Sequence, residues 1–235
     1  MRLNIPRWVL VRAAMVACAA LGSAMAGADS AVDIGNRWEP LADRFLVERL
    51  DGSARHELIP PEYAGPVFAF DAPWEGRYCG YVTVLQDGGR FLMYYRGLPE
   101  SGNDGSAAEV TCIAESSDGI AWQRPALNLF TVNGISSNNV VLADKAPYSH
   151  NFAPFLDTNP ECPPERRFKA LAGILETGLS TFVSPDGTHW TMETEGAIRE
   201  GGVFDSQNVA FWSETEKQYL CYARTWSTVG FSGFR

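Results

Sequence analysis

The feature that most constrains this chain is a seven-residue turn written twice. Ser116-Ser117-Asp118-Gly119-Ile120-Ala121-Trp122 reads S-x-D-G-x-x-W, and Ser184-Pro185-Asp186-Gly187-Thr188-His189-Trp190 repeats the pattern 68 positions later. An Asp-Gly step between apolar runs signals a turn between strands, because glycine enters positive φ at little steric cost. Each copy follows a short apolar run (Val110 to Ala114; Leu179 to Val183), and the Trp then falls on the next strand, where it can pack between layers. Asp118 and Asp186 are accordingly read as turn residues.

The repetition extends upstream. Arg90-Phe-Leu-Met-Tyr-Tyr-Arg96-Gly97 resembles Arg167-Phe-Lys-Ala-Leu-Ala-Gly173, and both resemble Gln218-Tyr-Leu-Cys-Tyr-Ala-Arg224. Before these runs stand Tyr81 to Gln86, Phe152 to Leu156 and Val209 to Trp212. Short apolar runs at a near-constant period, with no amphipathic helical pattern after residue 40, predict an all-β fold of four-stranded antiparallel units. Such units are the signature of β-propeller blades, here expected at about 68–125, 138–195 and an incomplete 203–235. Residues 27–67 form a lead-in. Propellers close with roughly four to eight blades, so about two and a half blades read as the N-terminal part of a longer propeller. Open sheet edges would otherwise remain, which natural proteins avoid.

The N-terminus reads as a targeting signal. Arg2, Arg7 and Arg12 precede an apolar stretch, Ala13 to Ala26, that ends in the small-x-small pattern Ala24-Met25-Ala26. The stretch is short for a bilayer span, so cleavage at residue 26 is expected, with an uncleaved anchor as the alternative. Cleavage implies a secreted or periplasmic protein with no integral membrane span. Removing this segment takes three arginines and no acid, moving the formal charge from -9 to -12. That balance argues against nucleic acid as a partner, because phosphate binding needs a surplus of Lys and Arg. Aromatic residues at 12% argue against a disordered chain. Cys79, Cys112, Cys162 and Cys221 remain after cleavage; three pairings are open. Cys79, Cys112 and Cys221 lie in apolar runs that suit buried free thiols. No Cys-x-x-Cys or Cys/His spacing points to a metal, and nothing points to a cofactor.

In a propeller the innermost strands converge on the axis, so their starts line a pocket. Ser149-His150-Asn151 and Ser206-Gln207-Asn208 align as two such starts, with Asp205 just before the second; Phe70-Asp71-Ala72-Pro73-Trp74-Glu75 is the corresponding region of the first unit. Two carboxylates across a pocket suit glycosidic hydrolysis, one protonated to donate to the leaving oxygen and one ionised. Asp71 and Asp205 are the catalytic candidates. Glu75, His150, Asn151, Gln207, Asn208, Trp74 and Arg224 are candidates for carbohydrate binding, the Trp as a sugar-stacking surface. The other reading of each Ser-x-Asn is a cap on backbone groups; Arg96 and Arg224 end equivalent strands, and solvated strand ends are preferred for them over binding of substrate hydroxyls or carboxylates.

These segments resemble the five-bladed β-propeller superfamily of glycoside hydrolase families 32 and 43, and in particular exported bacterial family 32-like proteins. The resemblance spans residues 68–235. It implies an Asp on the first blade, matched by Asp71 with Glu75 second, and a Glu acid on the third, where this chain offers Asp205 instead. It also implies a furanoside or related glycan as substrate. The S-x-D-G-x-x-W turn is one spacer short of the sialidase Asp-box, S-x-D-x-G-x-x-W, and no arginine triad accompanies it. The chain lacks W-x-N-D-P-x-G and R-D-P segments, and His150 and Asn151 stand where an Asp is expected. A non-catalytic carbohydrate-binding or scaffold propeller is the alternative function.

Overall fold

Ten short strands follow one another from residue 80 onward, in a computed structural model that describes residues 31–36, 38–39, 43–98, 105–200 and 202–225. Residues 1–26, read above as a targeting signal, and the final residues 226–235 lie outside these. The chain divides into two units, Met1–Glu62 and Tyr63–Arg235. In the first, the described residues carry no strand or helix. Local contacts such as the exposed Arg49–Asp51 and Arg55–Glu57 ion pairs dominate it, and such pairs are worth little.

The second unit is all-β. The strands are β1 (Gly80–Asp87), β2 (Arg90–Gly97), β3 (Val110–Ser116), β4 (Val140–Leu142), β5 (Ala153–Leu156), β6 (Phe168–Ala172), β7 (Leu179–Ser184), β8 (Thr191–Ile198), β9 (Val209–Ser213) and β10 (Gln218–Tyr222). They build two four-stranded antiparallel sheets, ordered β1-β2-β3-β4 and β5-β6-β7-β8, and the pair β9-β10. Among the described residues the one helical piece is a 3-10 turn at Pro164–Arg166. The β1–β2 hairpin shows how sequence sets register. Gly88-Gly89 closes a two-residue loop with Gly88 at φ 62°, so Asp87 faces Arg90 and Leu85 faces Leu92.

Alternation along β2 and β3 sends side chains to two different cores. Met93, Tyr95, Cys112 and Ala114 join one cluster with Trp74 and Val140. Leu92, Tyr94 and Ile113 join another with Val141 and Phe168 of the second sheet, so the two sheets share a core. The second sheet in turn packs on the third pair through Leu171, Leu179, Phe204 and Ala210. A fully buried Leu, Ile or Phe such as Leu92, Ile113 or Phe168 contributes roughly 1.5–3 kcal/mol.

The two S-x-D-G-x-x-W segments have one structure. Ser116 Oγ accepts from Gly119 N (2.9 Å), Asp118 Oδ1 accepts from Ile120 N and Ala121 N (both 2.8 Å), and Trp122 Nε1 donates to Gly119 O (3.0 Å). Ser184, Asp186, Gly187 and Trp190 repeat every one of these contacts, at 2.9, 2.8, 2.8 and 2.9 Å. Both glycines have positive φ, 76° and 84°. The motif is a self-contained side-chain-to-backbone knot, which accounts for its residue types without any ligand.

The first sheet takes its fourth strand from further along the chain than the motif Trp. After Trp122 the chain makes one bridge, Gln123 to Glu115, then loops, and the fourth strand is Val140–Leu142, paired with Thr111 and Cys112. In the second sheet β8 does begin right after Trp190. Cys221 departs from the burial expected of it. It is an exposed thiol, whereas Cys112 is buried and Cys79 and Cys162 are partly so, and all four are free. Burial pushes the Cys79 thiol up to about 12, with the Glu75 charge adding to it, so this thiol stays protonated at neutral pH.

Candidate polar mouth at the inner-strand starts

The first strand of each sheet adjoins the next, β5 touching β1 and β9, and their starts meet around the segment 204–208. Tyr81, at the start of β1, donates its hydroxyl to the Asp205 carbonyl (3.0 Å). His150, ahead of β5, places Nε2 3.3 Å from the same oxygen. Asn151 spends its whole amide on backbone. Nδ2 donates to the carbonyls of Phe204, Gly173 (2.8 Å) and Ser206 (3.0 Å), while Oδ1 accepts from Gly173 N (3.0 Å). Asn208 donates to the Phe204 and Ser206 carbonyls (3.3 and 2.9 Å), and Gln207 donates to Thr83 Oγ1. Asn151 and Asn208 thus pin the loop that carries Asp205, the capping role of the two expected for them.

Asp205 itself has one carboxylate oxygen on Arg224, while Oδ1 is buried without a hydrogen-bond partner. Arg224 is half-exposed. Arg96, read from sequence as a solvated strand end, instead turns inward with its side chain 15% exposed. It reaches His150 Nδ1 (3.0 Å) and the Tyr78 carbonyl (3.1 Å), and its guanidinium lies 4.8 Å over the Tyr81 ring. Behind His150 stands Glu109, wholly buried, with Oε1 3.1 Å from Nδ1. Sequence reading missed Tyr81 and Glu109. Tyr81 carries a weak signal, an aromatic residue opening an alternating strand; Glu109 follows a glycine-rich stretch and carries none.

Asp71, Trp74 and Glu75 gather elsewhere, on the outer face of the first sheet. Glu75 is fully buried and accepts from Arg124 Nε (2.7 Å) and Nη2 (2.8 Å), from the Tyr95 hydroxyl and from Ala72 N (2.9 Å). Arg124, engaged by this buried carboxylate, also reaches Asp71 at 3.0 Å, whose side chain is 77% exposed. Trp74 is buried and donates Nε1 to Asn139 Oδ1 (2.7 Å), so its ring faces the core rather than a ligand. None of these contacts reaches Asp205 or His150. The arrangement is that of a buried ion pair tying residues 69–75 to the sheet.

Other features carry less chemistry. A cavity of about 310 Å³ lies between the second sheet and β9-β10, lined mostly by apolar groups such as Phe155, Phe182, Ala210 and Tyr219; none of the expected site residues reaches it. Among the described residues no cluster of His, Cys, Asp and Glu could hold a metal ion. No helix among them is long and apolar enough to cross a membrane.

No protein-family model matches the chain, and comparison with curated proteins gives no match. Two solved structures are similar over part of it, one described as a complex of BT0996 and RGII and one as "Glycoside hydrolase". Each has a TM-score of 0.37 and 13% identity, covering 59% of this chain and 45% of its own. The chain therefore spans less than half the length of either. Likeness at that level assigns neither a fold family nor an activity.

Proposed function

We propose that this chain is part of an exported β-propeller whose inner-strand mouth binds a glycan. One observation carries the reading. The starts of three adjoining inner strands converge on Asp205, and the convergence leaves hydrogen-bonding capacity unspent at Asp205 Oδ1 and at Arg96 Nε. Sugar hydroxyls both donate and accept, so they suit a mouth of mixed carboxylate, guanidinium and phenol groups. The sequential order of each four-stranded sheet supports the propeller part of the proposal.

The second reading is hydrolysis of a furanoside or related glycan, with Asp205 in proton transfer. The unpaired Oδ1 favours it. Glycosidic hydrolysis also needs a second carboxylate at the substrate, and Asp71 has its contacts with Arg124, apart from the mouth. Non-catalytic binding is therefore the reading better supported.

The test is a panel of plant and algal oligosaccharides offered to the wild-type protein, with calorimetry for binding and reducing-end release for turnover. Binding without release, lost in Asp205→Ala, is the expected result. Release that disappears in Asp205→Asn while binding persists would favour the hydrolase. Absence of both in the full chain would overturn the reading.

A further inference from the structure

Among the described residues, six that are not glycine have positive φ. Asn128, Asn133 and Asp144 belong to the types that tolerate it, and Lys217 sits in the β9–β10 turn. The other two, Tyr81 (φ 52°) and Phe204 (φ 55°), are aromatic, and for a bulky side chain this backbone is strained. Both stand at one contact. Tyr81 donates its hydroxyl to the carbonyl of Asp205 (3.0 Å), and Phe204 is the residue just before it. Backbone of this kind persists only where its surroundings over-determine it, and it collects at binding sites and ligand clamps.

The strain at Tyr81 has a local source. Gly80 pairs with Arg96 and Thr83 with Tyr94, so Tyr81 and Val82 together stand opposite the single residue Tyr95. That is a β-bulge whose first residue is left-handed, a position that glycine normally fills. A bulge re-aims the side chain it carries, and this one delivers the phenol to the segment 204–208. The Arg96 guanidinium lies 4.8 Å over the ring, and His150 meets its edge at 5.3 Å. Glycine would form the same bulge without strain and would reach nothing. On the other side of the contact, the Phe204 ring is buried among Leu171, Leu179 and Ala210, and its carbonyl is held by Asn151 and Asn208.

We infer that Tyr81 is a positioning residue of the mouth: its bulge holds the Asp205 peptide, at a cost in fold stability, and so fixes where the Asp205 carboxylate meets a ligand. The inference rests on the mouth being the binding site. One oxygen of that carboxylate is on the half-exposed Arg224 and Oδ1 is without a hydrogen-bond partner, so its placement depends on the main chain that Tyr81 holds.

The experiment compares three variants of the full chain. Tyr81→Ala and Tyr81→Gly both delete the ring and differ in the backbone they tolerate. At an ordinary strand position glycine is the less stable of the two; at a left-handed one it is the more stable. Tyr81→Gly should therefore unfold at a higher urea concentration than Tyr81→Ala, and the reverse order overturns the inference. Tyr81→Phe keeps ring and bulge and removes only the donor. By NMR relaxation, the order parameter of its Asp205 amide should fall from about 0.85 in wild type toward about 0.6, and Tyr81→Gly should match it despite its relaxed backbone. Unchanged order at Asp205 in Tyr81→Phe also overturns the inference, since a side chain that only packs would leave that segment as it was. A plant or algal oligosaccharide that binds wild type should bind Tyr81→Phe about fivefold more weakly, the net value of one hydrogen bond; equal affinity counts against the inference as well. If no oligosaccharide binds, the proposed function fails, while the unfolding midpoints and the order at Asp205 still decide whether Tyr81 positions that residue.

Discussion

The Tyr94 hydroxyl of the first sheet donates to the Gly187 carbonyl in the turn of the second, at 2.8 Å. Gly187 O is the same oxygen that accepts from Trp190 Nε1 (2.9 Å), so one turn carbonyl joins the two repeats. Burial pushes the Tyr94 phenol well above its ordinary range, so it stays a donor at any pH the fold survives. Tyr94→Phe removes that donor but leaves the carbonyl partnered by Trp190. It should cost about 1 kcal/mol, the net value of one buried neutral hydrogen bond, read as a lower urea midpoint with unchanged slope.

The two motif glycines should respond differently to Ala. At Gly119 a Cβ would meet only Phe91, at 4.0 Å, so the penalty is that of positive φ alone, about 1–2 kcal/mol. At Gly187 the same Cβ would lie 2.5 Å from Tyr94 Oη and 3.4 Å from Phe168. Gly187→Ala must break the Tyr94 bond and disturb the shared core as well, so it should unfold at a clearly lower denaturant concentration than Gly119→Ala. Equal midpoints would mean that the joint between sheets is not as tight as the packing implies.

The strands were legible because period-2 apolar runs and Gly-containing turns are local signals. β2, β6 and β10 share a start, a long polar residue and then an aromatic one (Arg90-Phe91, Arg167-Phe168, Gln218-Tyr219), and the sheets assemble from them in chain order. β4 was not legible, because three residues joined to β3 across a long loop leave no turn signal. The site was partly legible. His150, Asn151, Asp205 and Asn208 stand before strands that open their sheets, and they do meet. The sequence pattern points to Asp71 to Glu75 for the first sheet's contribution, yet Tyr81 is the residue that touches Asp205. Glu109 lies 41 positions from His150, and no local pattern announces a pair that only folding brings together.

Asp87 makes stability fall in acid. Its carboxylate takes Arg167 from the second sheet and Arg90 from its own (Nη2, 3.0 Å). The Arg167 hydrogen bond, with Arg90 helping against the opposing effect of burial, holds its pKa below the ordinary 3.8. A depressed folded value means the contribution is complete above the unfolded value and is lost as pH falls through the folded one. Wild type should therefore lose stability steadily below about pH 4, and Asp87→Asn should make that part of the profile shallower, the rest being carried by Asp118, Asp157 and Asp186, whose pKa values are also lowered. Parallel profiles for the two proteins would remove Asp87 from the acid response.

Asp71 and Glu75 share Arg124 yet should behave in opposite ways. Asp71 is exposed and reaches Arg124 through a single contact. Asp71→Asn should change stability by no more than about 0.5 kcal/mol, as for a surface ion pair, and leave glycan binding at the mouth intact. Glu75 is wholly buried, holding Arg124 through two oxygens and receiving the Tyr95 hydroxyl. Glu75→Ala strands those donors in the core and should cost about 3–5 kcal/mol, the range for breaking a buried pair from one side. Thermal unfolding of both variants, read beside their glycan affinities, separates structure from recognition. A stable Glu75→Ala protein that has lost only glycan affinity would move the binding site to the outer face of the first sheet. An unstable one whose folded fraction still binds would leave it at Asp205.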